Sequence, residues 1–124
     1  MKITLTDREA DLMDVLWEHG PSTVAEVRDR IGDELAYTTV LTVLRTLETK
    51  GYIRHDAEGR AHRYSAVVAR DVARQSALHA LSNKLFKGST ELLLTHLVAD
   101  RKLTDAQLTR IKELLNQRTT KERT

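Results

Sequence analysis

Apolar residues recur at three- and four-residue steps through most of the chain, and the stretches where that rhythm breaks divide it into elements. Leu12, Met13, Leu16 and Trp17 share one helical face. Thr6-Asp7-Arg8-Glu9 supplies a capping box at the start of that helix, and Gly20-Pro21 stops it. Thr23 and Glu26 repeat the capping pattern and open a short second helix with an inner face of Val24, Val27 and Ile31, ending near Gly32. A third helix is predicted from about Tyr37 to Lys50, with Gly51 as its C-terminal cap. The rhythm then becomes that of strands: Tyr52-Ile53-Arg54-His55, a turn at Asp56-Ala57-Glu58-Gly59, and a return strand from Arg60 to Ser65. Gly59 can take the positive φ the turn requires, and Tyr52, Ile53 and Tyr64 are placed to pack on the helices.

Beyond Ala66 the pattern is helical again, over roughly 69–87, 89–99 and 104–118, with Gly88-Ser89 separating the first two helices. Thr104 and Gln107 form another capping box. Leu78, Leu81 and Leu85 line the first of these helices, and Leu92, Leu93, Leu94, Leu97 and Val98 make the second apolar over much of its circumference. Three short helices make a poor core on their own. Part of this surface is therefore expected to pair with a second copy, through Leu92, Leu93, Leu97, Leu108, Ile111 and Leu115. The tail from Gln117 to Thr124 holds no apolar residue and is expected to fray. The fold class implied is mainly α with a small β-hairpin: a winged helix-turn-helix over residues 1–67, followed by a helical dimerisation region over 68–124.

Composition narrows the chemistry. With 40% hydrophobic but only 4% aromatic residues, the core must be aliphatic, and one proline with five glycines over 124 residues favours long helices. The absence of cysteine removes disulfides, thiolate metal sites and cysteine nucleophiles together. There is no glycine-rich phosphate loop and no His-x-x-x-His motif, so an enzyme is not expected, nor is a cofactor. His55 and His62 could meet across the hairpin and take a metal with Asp56, but exposed histidine pairs are ordinary and no metal site is expected. His19, His79 and His96 are scattered. No apolar run suits a signal peptide or a membrane span, so a cytoplasmic location is expected.

The net charge of +2 says little about nucleic acid, and residues 1–66 carry nine Lys/Arg against twelve Asp/Glu. Much of that acid lies in the first helix, at Asp7, Glu9, Asp11, Asp14 and Glu18, which must face away from any phosphate. Between Arg45 and Arg63 the balance reverses, through Arg45, Lys50, Arg54, Arg60 and Arg63 with His55 and His62 nearby. On a helical wheel Val40, Val43, Leu44 and Leu47 take one side of the third helix, and Thr38, Thr42, Arg45, Thr46 and Thr49 the other, with Thr39 and Leu41 at the flanks. Surface helices ordinarily carry Lys and Glu; β-branched threonine costs helix propensity. Threonine hydroxyls suit phosphates or base edges, their methyls suit thymine, and arginine can bind guanine bidentately. A helix of this kind followed by a basic hairpin (Arg60, His62 and Arg63 on one strand, Arg54 on the other) is expected to bind double-stranded DNA. The alternative, a winged-helix adaptor for another protein, would need an apolar patch on the third helix or hairpin, and Leu41 alone does not provide one.

The opening LTDREADLMDVLWEHGPSTVAEV, the segment AYTTVLTVLRTLETKGYI and the hairpin end AHRY carry a further likeness. In these the chain resembles the penicillinase-repressor family, of the BlaI/MecI type, over essentially its whole length. The resemblance implies a bacterial transcriptional repressor that binds a dyad-symmetric operator as a homodimer, commonly at resistance or stress genes. It places base reading at Thr38, Thr39, Thr42, Arg45 and Thr46, and wing contacts at Arg60, His62 and Arg63. In the beta-lactamase-linked members a membrane sensor-protease triggers cleavage of an Asn-Phe bond in the dimerisation region. That bond would fall near His96-Leu97, but the chain contains no Asn-Phe pair, so induction by that cut is not expected. The copper-responsive members carry a C-terminal cysteine cluster, which is missing here. The sequence names no inducing protease or ligand.

Overall fold

A computed structural model describes residues 2–123, with side chains through Lys121. The order of elements is α1 (Asp7–His19), β1 (Ser22–Thr23), α2 (Val24–Arg30), α3 (Tyr37–Thr49), β2 (Ile53–Glu58), β3 (Ala61–Ala66), α4 (Arg70–Leu85), α5 (Thr90–Val98) and α6 (Asp105–Arg123). The chain forms two compact units, residues 1–78 and 79–124, with the division inside α4. The expected mainly α fold with a small β element is the one observed.

Both capping boxes at the start of the chain form. The Glu9 backbone N–H donates to Thr6 Oγ1 at 3.2 Å while the Thr6 N–H donates to the Glu9 carboxylate at 2.8 Å. Thr23 and Glu26 exchange the same two bonds at the start of α2. α3 has Ala36 at its N-cap and no side-chain cap. At its other end Gly51, with φ +83°, allows the Tyr52 N–H to reach back to the Leu47 carbonyl at 3.1 Å and its own N–H to reach Glu48 at 2.9 Å. These two bonds are a Schellman closure, and only glycine takes that φ without strain.

In the first unit α3 inserts Val40, Leu44 and Leu47, all 0% exposed, against Leu12, Met13 and Val27 of α1 and α2. The sheet closes the same core with Ile53 and Tyr64, and Tyr52 packs beside them. Val68 and Ala73 also belong to it, so this unit extends beyond the hairpin into α4. Trp17 donates its indole N–H to the Val68 carbonyl at 2.8 Å, and the Ile3 N–H bonds to Ser76 Oγ at 2.7 Å.

Three local expectations are corrected. The hairpin turn is Gly59-Arg60, not Asp56 to Gly59: Glu58 pairs with Ala61, and Asp56 and Ala57 continue β2. Only the first turn residue has positive φ, Gly59 at +61°, as a two-residue type II′ loop requires. A third strand, β1, pairs with β3 through Ser22–Tyr64 and Thr23–Arg63, giving the antiparallel order β1-β3-β2. The tail does not fray at Gln117: α6 continues to Arg123 through good helix formers with no Gly or Pro, and Thr119 Oγ1 bonds to the Leu115 carbonyl at 3.0 Å. Thr124 lies outside the described residues.

In the second unit α5 is capped by Ser89 Oγ, and α6 by the Thr104–Gln107 box. Phe86 and His96 meet edge to face with centroids 5.3 Å apart. Among the described residues of this unit only Ser82 and Leu93 are buried.

Glu9 joins two of these elements. Its carboxylate, 5% exposed, receives the Lys50 ammonium at 2.8 Å, tying the start of α1 to the end of α3. Burial alone would raise the Glu9 carboxyl, but the Lys50 ammonium and the Thr6 N–H and hydroxyl outweigh it and hold it below the ordinary value. A carboxyl lowered by folding stabilises the fold above its unfolded value, and that contribution is lost as pH falls through the folded one. Glu9→Gln should cost about 1–3 kcal/mol at neutral pH. In urea unfolding, the gap from the wild type should be widest above about pH 4.5 and shrink on further acidification.

Candidate nucleic-acid interface

The face of α3 opposite the core is open. Thr38, Thr39, Thr42, Arg45, Thr46 and Thr49 are all exposed, and Leu41 and Val43 are half-buried at its borders. The sequence-selected base-reading residues Thr38, Thr39, Thr42, Arg45 and Thr46 are thus brought together on one surface. At its start the uncapped N-terminus leaves backbone N–H groups free, a setting that favours anions. Tyr37, 46% exposed, is the one large apolar side chain among the described residues of α3 and the hairpin to be so open. The apolar patch a protein adaptor would need is not present there.

Glu48, the acid at the edge of this face, is occupied. Its carboxylate lies 2.5 Å from His55 Nδ1, within hydrogen-bond distance. His55 in turn stacks on His62 with centroids 4.3 Å apart and leans on Tyr64 at 5.5 Å. The wing is therefore held to the end of α3 through His55, which touches Glu48, His62 and Tyr64. Burial and the Glu48 carboxylate push the Tyr64 hydroxyl above the usual phenol value, against the opposing effect of Arg45, so it stays neutral.

Strand alternation separates the wing residues that the sequence grouped. His55, Ala57, His62 and Tyr64 share one face of the hairpin; Arg54, Asp56 and Arg63 lie on the other. Asp56 is thereby turned away from the two histidines, which removes the third ligand of a His55-His62-Asp56 metal site. Arg60 stands at the tip of the turn, not within a strand.

The cations also divide by occupation. Arg63 bonds the Glu58 carboxylate, Glu26 at 3.2 Å and the Pro21 carbonyl at 3.1 Å, stitching β3 to β1 and α2. The Glu58 hydrogen bond leads the effects that raise the Arg63 guanidinium above its usual value, and burial works against it. Lys50 is held by Glu9 and the Thr4 carbonyl. Arg54 has only a 3.8 Å approach to Asp56, with both side chains 68% exposed. The guanidinium groups of Arg45 and Arg60 have no hydrogen-bond or ion-pair partner within the described residues, so their charge is uncommitted. Sequence reasoning missed this division because partners as distant as Pro21 and Glu26 come to Arg63 only through β1.

The dimer candidates divide in the same way. Leu92, Leu97 and Leu115 are 45%, 50% and 48% exposed, whereas Leu93 is buried and Leu108 and Ile111 are half-buried. Leu85, Leu94, Val98 and Leu114 are exposed apolar residues that the sequence-derived set omitted.

A three-helix core closed by a β-wing, with one helix face left open and polar, defines a winged-helix DNA-binding regulator. The chain belongs to the penicillinase repressor family, whose profile matches residues 5–117; this is a family of DNA-binding transcriptional repressors, not of enzymes. It is 38% identical over 98 residues to the transcriptional regulator BlaI of Mycobacterium tuberculosis, covering 76% of this chain and 71% of that protein. The solved DNA-binding domain of the repressor BlaI superposes with a TM-score of 0.51 at 28% identity, over 58% of this chain and 93% of that one. A MarR family protein from Bacillus stearothermophilus shares the fold at 15% identity, with a TM-score of 0.52 over 98% of this chain and 78% of its own. Among the described residues, no helix is long and apolar enough to cross a membrane.

The two wing arginines should separate in experiment. Arg63→Ala should lower the thermal midpoint of the first unit measurably more than Arg60→Ala, by circular dichroism. Arg60→Ala should leave the melt unchanged and reduce the slope of log binding constant against log salt by about one.

Proposed function

We propose that this protein is a homodimeric, sequence-specific repressor acting in the cytoplasm on a dyad-symmetric operator, with resistance or stress genes as its targets. Each protomer inserts α3 into the major groove and rests the wing on the adjacent backbone, the two half-sites lying roughly 34 Å apart on one side of the duplex. The observation that carries this reading is the two-sidedness of α3: Val40, Leu44 and Leu47 are fully buried while the opposite side offers threonines and an unpaired arginine. Thr38, Thr39, Thr42, Arg45 and Thr46 meet the groove. Arg60 meets phosphate, with His62 and the exposed part of Arg63 beside it. Residues 1–67 make the DNA-binding part and 68–124 the dimerising part. The half-exposed Leu92, Leu97 and Leu115 support pairing with a second copy, and Leu93, Leu108 and Ile111 back that surface from within.

Selection of bound duplexes from a random pool by the full-length chain should recover a palindrome; enrichment of no sequence would defeat the reading. On the recovered duplex Arg45→Ala should cost about 1–3 kcal/mol, with a smaller loss on random DNA. Equal losses on both would remove Arg45 from base reading. Leu97→Asp should sediment as a monomer at micromolar concentration and lose tight operator binding, whereas the wild type should sediment as a dimer.

A further inference from the structure

The threonines on the open side of α3 do not share one chemistry. Thr42 Oγ1 lies 2.8 Å from the Thr38 carbonyl, Thr46 Oγ1 3.0 Å from that of Thr42, and Thr49 Oγ1 3.0 Å from that of Arg45. A carbonyl oxygen carries no proton, so in each pair the hydroxyl donates. A hydroxyl has one hydrogen to give, and here the helix has taken it. What remains outward is acceptor capacity on Oγ1 and the γ-methyl group, on residues that are all exposed. Thr38 and Thr39 have no side-chain hydrogen bond and sit beside the uncapped N-terminus, so their hydroxyls stay free to donate to phosphate.

In the major groove this difference selects among base pairs. Guanine N7 and O6 and the phosphate oxygens all need a donor, which Thr42 and Thr46 cannot supply without breaking the helix bond. An A·T pair offers what they lack: the thymine C5-methyl against the threonine methyl, and the adenine N6 amino group as a donor to Oγ1. A G·C pair offers an amino donor but no methyl. Thr42 and Thr46 are one helical step of four apart, about 6 Å along the axis, on the order of two base-pair steps.

Resting on the DNA-binding reading above, we propose that Thr42 and Thr46 are specificity-determining residues that select A·T pairs in each half-site by methyl–methyl contact with thymine, their hydroxyls acting only as acceptors. Thr38 and Thr39, whose hydroxyls are free, keep a donor for guanine or phosphate, as does Arg45.

The test uses the full-length chain with the duplex recovered by random-pool selection and a copy carrying deoxyuridine for thymidine in both half-sites, which removes only methyl groups. Wild-type protein should bind the deoxyuridine copy about fourfold more weakly for each contacted methyl, the equivalent of one buried methylene. Thr42→Val, which keeps a methyl in place and loses the hydroxyl, should retain that discrimination. The double variant Thr42→Ser with Thr46→Ser, which keeps both hydroxyls and loses both methyls, should bind both duplexes alike. Circular dichroism melts of both variants confirm that they fold. Equal binding of the two duplexes by wild type, or discrimination kept by the serine and lost by the valine variant, would overturn the inference while leaving DNA recognition standing. A pool that yields no enriched sequence would overturn the DNA reading and this inference with it.

Discussion

Leu47, Gly51 and Tyr52 decide where the polar face of α3 can point. The Tyr52 N–H closes the helix on the Leu47 carbonyl, its own carbonyl receives the Val67 N–H at 2.9 Å, and its hydroxyl receives the Thr4 N–H at 3.0 Å. One residue thus joins the end of α3, the segment after β3 and the segment leading into α1. Lys50 adds the bond to Glu9 within the α1 capping box. β2 begins at the very next residue, Ile53, so helix and wing have almost no free backbone between them. A shift of α3 would have to break a Schellman closure and the part-buried Lys50–Glu9 ion pair together. Preorganisation of this kind lowers the ordering cost of binding, because the residues on the open face of α3 are already placed.

The same economy governs charge. Residues 1–66 are net acidic, yet the acids near the open face are engaged: Glu48 by His55, Glu26 and Glu58 by Arg63. The cations left without an ion-pair partner there, among the described residues, are Arg45 on the helix and Arg60 at the wing tip. Local availability, not total charge, sets the field a phosphate meets at a Debye length of about 10 Å. Arg63 fixes where the wing tip with Arg60 stands, since β3 is anchored to the start of β1 and to α2 through its guanidinium.

Helix boundaries and the two faces of α3 were legible in the sequence because each rests on local signals: capping boxes at Thr6 and Thr23, Gly51 after the last apolar position, and a wheel that separates Val40 and Leu44 from Thr42 and Thr46. The misses in and around the wing share a cause, which is pairing over distance. A two-residue strand at Ser22–Thr23 has no periodicity to detect and exists only because β3 lies beside it. The turn moved to Gly59-Arg60 because the register starting at Ile53–Ala66 pairs Asp56 with Arg63 and Ala57 with His62. The occupation of Arg63 followed from that same unseen strand. The inward hydroxyls of Thr42 and Thr46 lie between these cases, since back-bonding to the residue four earlier is available to any helical threonine but composition does not show when it is used.

The second unit poses the opposite problem, too little interior. Residues 79–124 bury Leu93 and Ser82 and leave Leu81, Leu85, Leu92, Leu94, Leu97, Val98, Leu114 and Leu115 open, in a segment where α6 alone runs 19 residues. Covering a half-exposed leucine is worth roughly 1 kcal/mol, half the value for a fully exposed one. Association costs about 4–15 kcal/mol before any net affinity appears. Leu92, Leu97 and Leu115 on both protomers reach only the lower end of that range. A stable dimer of the proposed kind therefore has to cover the wider set, including Leu85 and Leu114, the two most exposed of these leucines at 67% and 64%. A dimer of the proposed kind would then draw on leucines outside the spacing that marked the core, such as Leu114, as well as on Leu115, which keeps that spacing with Leu108 and Ile111 yet stays 48% exposed.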